Sequence, residues 1–393
     1  MELVSGKTEN NILTIFLCGR IDSTNAPAAE TKILELCSAN AGCGIVVDAE
    51  KLEYISSAGL RVILRLRKSS PDMKVINVSG DVYEIFEMTG FTEMIPIEKA
   101  YRCLSVEGCE VIGTGANGEV YRLDPDTIIK VYINPDSLSD IQRERELARR
   151  AFVLGVPTAI PYDVVRVGNS YGSVFELLNA KSFAKILAEE PERVDEIAAM
   201  SVDLLKTIHG TEVQPEDMPD MRSVALGWVD FLKDHLQPEK WQKLHDLVEA
   251  VPVSHHMIHG DYHVKNVMLQ NGEALLIDMD TLCQGDPVFE FSGIFNAYEG
   301  FYAMDMSVRG EFLGLTPETT KRMLEKTLQL YFGTEDEARL QEIRDKAALM
   351  GFTRLMRRTI RRKGLETETG RQAIAYYEKQ INTLLERVDT LRF

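Results

Sequence analysis

The stretch His-Gly-Asp-Tyr-His-Val-Lys-Asn at residues 259–266, followed by Leu-Leu-Ile-Asp-Met-Asp at 275–280, constrains this chain more than any other. The apolar pair Met257 and Ile258 delivers Asp261; Asn266 follows five residues later, and a second strand-like run ends on Asp278 twelve residues after that. Moving a phosphoryl group asks a protein mainly for positioning and charge neutralisation. It needs a carboxylate to hold the attacking hydroxyl and oxygen ligands to hold Mg²⁺ against the phosphates. Asp261 fits the first role, and Asn266 and Asp278 fit the second. Either segment alone reads equally well as a turn or a strand end. Their spacing, downstream of the glycine-rich stretch described below, is what points to catalysis.

The 393 residues suffice for two or three domains with proper cores, and an apolar fraction of 45% is ordinary for a globular protein. A net charge of −17 argues against nucleic acid or an anionic membrane as partner, because such surfaces are bound through an excess of Lys and Arg. No basic leader or run of about 18 apolar residues is present. The six cysteines form no C-x-x-C pair, which is neither a zinc pattern nor a secreted disulfide framework. The expectation is a cytoplasmic protein with reduced thiols.

Residues 1–98 read as a small α/β unit. Strands are expected at 12–17, 45–48, 75–78 and 94–97, and helices at 26–38, from about 57, and at 82–88, with a loop at 52–57. Within it, Ser56 and Ser57 precede a helix that puts Leu60, Ile63 and Leu64 on one face. Hydroxyl side chains there cap orphan N–H groups, and the same position suits a phosphate, held by the positive end of the helix dipole. With Asp48, Ile-Ser-Ser-Ala-Gly-Leu-Arg at 55–61 and Thr-Gly-Phe at 89–91, this unit resembles the STAS, or anti-sigma-factor-antagonist, family. The resemblance implies a phosphoacceptor two residues before the glycine. Here that residue is Ser57, with Ser56 where the family often has Asp. It also implies a kinase of the anti-sigma-factor type as a partner.

Residues 98–110 connect this unit to the next without a Gly/Ser or Pro-rich tract, which limits how far two domains could separate. Gly113, Gly115 and Gly118 then make a G-x-G-x-x-G spacing. A dinucleotide loop would lead into a helix, but this one runs into Glu-Val-Tyr-Arg and, after an Asp-Pro-Asp turn, into Thr-Ile-Ile-Lys. The glycines therefore belong on a hairpin, which is how a protein kinase covers ATP phosphates, with Lys130 on the next strand to grip them. Glu144, or alternatively Glu146, on the following charged helical segment would hold that lysine. The β-run at 171–178 offers backbone groups from Glu176 to Leu178 for an adenine edge. His209 reads as a packed helix-end residue, and His255 and His256 as loop polarity without metal-ligand companions.

Residues 107–390 together resemble the aminoglycoside phosphotransferase and choline kinase group of protein-kinase-like enzymes. The resemblance rests on the glycine hairpin, Lys130, Glu144, the 259–266 stretch, Ile-Asp-Met-Asp at 277–280 and Gly-Asp-Pro at 285–287. It implies ATP and Mg²⁺ as cofactors and Asp261 as catalytic base. Asn266 and Asp278 would be metal ligands, Lys130 and Glu144 the phosphate-gripping pair, and Asp286 a structural acid. Three departures from ordinary protein kinases favour the small-molecule branch. His263 stands where those enzymes have Lys, leaving Lys265 as the only nearby cation; Asp-Met-Asp replaces Asp-Phe-Gly; and no Ala-Pro-Glu follows. The basic cluster Arg354, Arg357, Arg358, Arg361, Arg362 and Lys363 reads as a solvated face, with anion binding as the alternative.

The expected architecture is an α/β STAS-like domain at 1–98, then an α+β two-lobed kinase-like domain with a small lobe at 107–180 and a mostly helical large lobe at 181–393. The expected activity is ATP-dependent phosphorylation of a hydroxyl on a small molecule, with the STAS unit as regulator. The alternative is a sigma-pathway signalling protein whose kinase-like domain phosphorylates a protein Ser or only senses nucleotide.

Overall fold

The computed structural model describes residues 2–115, 118–134 and 136–393; Ala116 and Asn117, in the glycine-rich stretch, lie outside the described residues, as does Pro135. The chain divides into two compact units, Met1–Ser105 and Val106–Phe393.

In the first unit, β1 (Val4–Glu9) and β2 (Ile12–Ile21) form an antiparallel hairpin. Asn10 and Asn11 turn it with φ of 49° and 62°, a left-handed conformation that Asn tolerates better than most residues. β2 alternates as a half-buried strand should, with Leu13, Ile15 and Leu17 inside and Ile12 and Phe16 outside. Then follow α1 (Ala26–Ala39), β3 (Gly44–Ile55), α2 (Ser57–Ser69), β4 (Lys74–Val78), α3 (Gly80–Met88), the short α4 (Phe91–Met94) and β5 (Ile97–Lys99). The sheet order is β1-β2-β3-β4-β5, parallel from β2 onward.

Three sequence expectations are corrected here. Residues 52–55 are strand and not loop, because Leu52 and Ile55 are buried and pair alongside Gly19 and Ile21. Met94 ends a helix, so the last strand starts at Ile97. The polar β1 went unread because Val4 is its one buried residue.

The second unit opens with an antiparallel sheet of β6 (Glu110–Thr114), β7 (Gly118–Arg122), β8 (Thr127–Tyr132), β9 (Pro161–Val167) and β10 (Ser170–Glu176), in the order β6-β7-β8-β10-β9. α5 (Leu138–Val153) lies between β8 and β9 in sequence and buries Ile141, Glu144, Leu147 and Ala148. A mostly helical body follows: β11 (Lys181–Ser182), α6 (Phe183–Glu189), α7 (Val194–Gly210), α8 (Met221–Phe231), α9 (Pro238–Glu249) and the strand pieces β12 (Met257–Ile258), β13 (Val267–Gln270), β14 (Glu273–Leu276) and β15 (Cys283–Gln284). It ends with α10 (Pro287–Tyr298), α11 (Pro317–Phe332), α12 (Glu337–Arg361) and α13 (Glu368–Leu385). α10 is buried on all sides apart from its first residue, as expected of a helix that is apolar all round. The α+β composition expected from the sequence is therefore observed, an antiparallel sheet followed by a mostly helical body. Among the described residues no helix is long and apolar enough to cross a membrane.

Candidate active site

The loop carrying Asp261 hangs between β12 and β13 and is fixed from beneath. Gly260 has φ of +81°, and a Cβ there would come within 2.7 Å of the Thr281 carbonyl, so only glycine fits. The Glu290 carboxylate, wholly buried on α10, accepts the backbone N–H groups of His259 (2.5 Å), Gly260 (3.0 Å) and Tyr262 (3.4 Å). From the other side Arg354 of α12 donates to the Gly260 carbonyl at 2.9 Å. Thr281 Oγ1 donates to the His259 carbonyl at 2.8 Å, and Tyr262 OH to the Ser201 carbonyl at 2.7 Å. The Asp261 carboxylate itself stays half-exposed, with His263 Nε2 at 3.6 Å. Burial alone would raise its pKa, but the adjacent His263, with the charges of Arg354 and His259, holds it down to about 2.

Asn266 closes the loop by donating from Nδ2 to the Asp261 carbonyl at 3.0 Å, which leaves its Oδ1 without a partner among the described residues. Asp278 follows β14 in a left-handed conformation, φ 64° and ψ 74°, a strained backbone of the kind that collects at functional sites. Its Oδ1 lies 3.0 Å from Lys130 Nζ, and Glu144 Oε1 lies 2.9 Å from the same nitrogen. Lys130 thus sits between two carboxylates; burial opposes its charge, but Glu144 and Asp278 more than compensate and raise its pKa. Glu144 is held in turn by the Tyr132 hydroxyl at 2.5 Å, whereas Glu146, the alternative partner, turns to Arg149 and Arg150.

Asp280 lines a cavity of about 420 Å³ with Glu144, Tyr132 and Arg143. Burial and the carboxylates of Asp278 and Glu144 push its pKa up to about 7 against the pull of Lys130. A larger cavity, about 770 Å³, lies at α9 and the C-terminal residues and touches none of these groups.

Gly113 and Gly115 lie on or just past β6 and Gly118 begins β7, so the glycines do occupy a hairpin, closed by Gly115 N–H donating to the Gly118 carbonyl at 2.9 Å. Packing demands glycine only at Gly118, where a Cβ would collide with the Val131 carbonyl; Gly113 and Gly115 have room. At the end of β10 the amide of Glu176 donates to the Ile160 carbonyl at 3.1 Å and that of Leu177 to Asp126 at 2.7 Å. The N–H groups of Glu176 and Leu177 are thus spent within the protein, which narrows the backbone donors expected at 176–178 to Leu178. Leu178 N–H has no partner among the described residues.

One further expectation changes. Lys265 is not the only cation near Asp261: Arg354 and Arg358 arrive from α12, about ninety residues on. Asp286 has a structural place in the large lobe, capping α10 by accepting from Val288 N–H at 2.9 Å, while the acid that holds the catalytic loop is Glu290. The available signal for Glu290 was its position as the one ionisable residue in Phe-Glu-Phe-Ser-Gly-Ile-Phe, residues 289–295.

The sequence model of the phosphotransferase enzyme family matches residues 108–316. The chain belongs to this family. A separate model, that of the STAS domain, matches residues 5–102, so this ATP-dependent phosphotransferase carries an N-terminal STAS domain. Over 104 residues the chain is 32% identical to BtrV of Bordetella bronchiseptica, named as a candidate anti-sigma factor antagonist, covering 25% of this chain and 85% of that protein. An anti-sigma-B factor antagonist of Listeria monocytogenes is 28% identical over 90 residues, 22% of this chain and 78% of its own. Among solved structures, a thermostable mutant of aminoglycoside phosphotransferase APH(4)-Ia, in ternary complex with ADP and hygromycin B, aligns with a TM-score of 0.48 at 13% identity, covering 71% of this chain and 93% of its own. A choline/ethanolamine kinase family protein from Mesorhizobium loti aligns with a TM-score of 0.45 at 17% identity, covering 71% and 88%.

Proposed function

We propose that this phosphotransferase moves the γ-phosphoryl group of ATP to a hydroxyl on a small molecule, with Asp261 as the base. The observation that carries this reading is the meeting of Lys130 and Asp278, 148 residues apart in sequence, at 3.0 Å, beside a loop braced to present Asp261. The acceptor hydroxyl would hydrogen-bond to the Asp261 carboxylate. As its oxygen bonds to the γ-phosphorus and the bond to the β-γ bridging oxygen breaks, ADP leaves and the hydroxyl proton passes to Asp261. A carboxylate held near a pKa of 2 is a weak base, which suits a loose transition state in which orienting the hydroxyl matters more than removing its proton early.

Lys130, positioned by Glu144, would pair with the α- and β-phosphates, beneath the Gly113, Gly115 and Gly118 hairpin. Leu178 N–H would take the adenine edge. Asn266 Oδ1 and the second oxygen of Asp278 form a hard oxygen set that fits Mg²⁺. That ion, when bound, supplies neutralisation of the phosphate charge.

The STAS unit supports a regulatory reading. Ser57 is the exposed first residue of α2, whereas Ser56 is the N-cap, its Oγ accepting from Gly59 N–H at 3.5 Å. Ser57 is thus the residue free for modification by a kinase of the anti-sigma-factor type. The test of the main reading is incubation with γ-labelled ATP and a low-molecular-weight cell extract. Label in a small-molecule product is expected; label only on protein would favour a protein-Ser kinase instead.

A further inference from the structure

The last turns of α12 carry Arg354, Arg357 and Arg358, then Arg361 and the cap residue Arg362. In a chain of net charge −17, none of the five makes an ion pair among the described residues. Pairs such as Arg354 and Arg358, four residues apart, repel. Burial, followed by the charges of neighbouring arginines, draws the pKa values of Arg357 and Arg358 below the ordinary guanidinium value. The helix dipole accounts for the cations of the final turn, Arg358 and Arg361, and for the cap residue Arg362. It accounts neither for Arg354 and Arg357 nor for the way three of the five lie over aromatic rings: Arg354 over Trp228 at 5.5 Å, Arg357 over Phe231 at 5.8 Å and Arg358 over Phe301 at 5.5 Å. Such stacking orients a guanidinium while leaving its N–H edge unspent.

A continuous chain of contacts links Arg358 to the catalytic loop. Phe301 packs on Phe312 at 5.4 Å between ring centres, Phe312 on His263 at 5.2 Å, and His263 lies 3.6 Å from Asp261. Lys265 Nζ sits 4.9 Å over the Phe312 ring. Phe301 and Phe312 are each about two-fifths exposed, at 38% and 41%, so this wall faces open space. Glu299, on the same segment, is already held by Arg309 at 2.9 Å. The wall made by Phe301, Phe312, Lys265 and Arg358 is therefore apolar and positively charged.

We propose that the acceptor carries a phosphate or carboxylate group besides its hydroxyl, and that Arg358 and Lys265 hold that anion while Phe301 and Phe312 bound the cleft. This rests on the phosphotransferase reading of Asp261 and adds the acceptor's charge class to it. A site built for a polycationic acceptor would need carboxylates where this chain has unpaired arginines.

The test uses the full chain with saturating Mg·AMP-PNP and four hydroxyl compounds differing in charge: glycerol 3-phosphate, glycerate, glycerol and choline. Calorimetry should show at least one of the two anions binding about tenfold or more tighter than glycerol or choline. Arg358→Glu should abolish that preference and Arg358→Gln weaken it, with urea unfolding confirming that both variants fold. If neither anion outbinds glycerol, if choline binds best, or if both Arg358 variants keep the preference, the proposal is overturned. Transfer of label from γ-labelled ATP to a small molecule of a cell extract separates it from the underlying reading. A chain that prefers the anions yet labels no small molecule would overturn the phosphotransferase mechanism alone, and one that labels a small molecule without the preference would overturn the anionic acceptor alone.

Discussion

Glu290 is the residue whose removal should couple stability to catalysis most sharply. Its buried carboxylate accepts three backbone N–H groups of the catalytic loop, from His259, Gly260 and Tyr262. Glu290→Ala leaves these donors facing a dry cavity, at about 1–3 kcal/mol for each unsatisfied group. Simple addition gives about 3–9 kcal/mol, and because loop relaxation and entering water recover part of it, about 4 kcal/mol is the expectation. That is a large share of the ~5–15 kcal/mol that stabilises a typical domain. Glu290→Gln keeps one acceptor oxygen but turns an amide toward a donor, so about half that loss is expected. Both tryptophans, Trp228 and Trp241, lie in the C-terminal unit, so their fluorescence in a urea titration reports this unit. The Glu290→Ala midpoint should fall by about 1 M or more at unchanged slope.

The pH dependence gives an independent check. Burial acts to raise the Glu290 pKa, but the His209 ring, with Nε2 3.6 Å from the carboxylate, and the contacts with His259 bring it below the ordinary value. Its contribution is therefore present above the unfolded carboxylate pKa and lost as pH falls through the lower folded value, so the deficit of Glu290→Gln should shrink in acid. In any Glu290→Gln protein that folds, kcat should drop by about 100-fold, the effect of a displacement of about 1 Å at the reacting centre. A midpoint and kcat both indistinguishable from the parent would refute the bracing role.

Asp278→Ala should weaken Mg·ATP binding by about tenfold or more in calorimetry, and equal affinity would remove Asp278 from the proposed metal site. Asp261 has its pKa held near 2 chiefly by His263 against the effect of burial, so the acid limb of kcat/KM due to the base should lie below about pH 4. His263→Leu should move that limb up by about one unit, and a limb that stays in place would show that His263 does not hold the charge. For the STAS domain, intact-mass spectrometry of protein from its native cell should find phosphate on Ser57 and none in Ser57→Ala. Phosphate confined to Ser56, or on neither serine in any growth condition, would return both to helix capping.

The sequence carried the local part of this account well, because the motif residues act within short loops whose geometry their own spacing sets. Asp261 and Asn266 share one loop, and the Lys130 strand follows directly on the glycine hairpin. The pairing of Lys130 with Glu144 was legible because a buried amine needs a carboxylate and the next helix offered one. What stayed hidden depends on long-range packing. Nothing local says that Glu290 turns under the loop instead of Asp286, or that Arg354 reaches Gly260 across 94 residues. The pairing of the Glu176 N–H with Ile160 is of the same kind, since it depends on where β10 stops pairing with the residues before β9. In the STAS domain, β1 escaped notice because a polar edge strand has no apolar alternation to read.

The central claim is that Asp261 acts on the chemical step and not on nucleotide affinity, and one paired measurement on Asp261→Asn tests it most directly. Calorimetric Mg·ATP affinity and single-turnover phosphoryl transfer would be determined side by side with the parent protein. The account predicts affinity within a few-fold and transfer slower by about 100-fold or more, the usual contribution of a positioned base. Transfer retained above about a tenth of the parent rate, or lost only in proportion to weakened ATP binding, would contradict it.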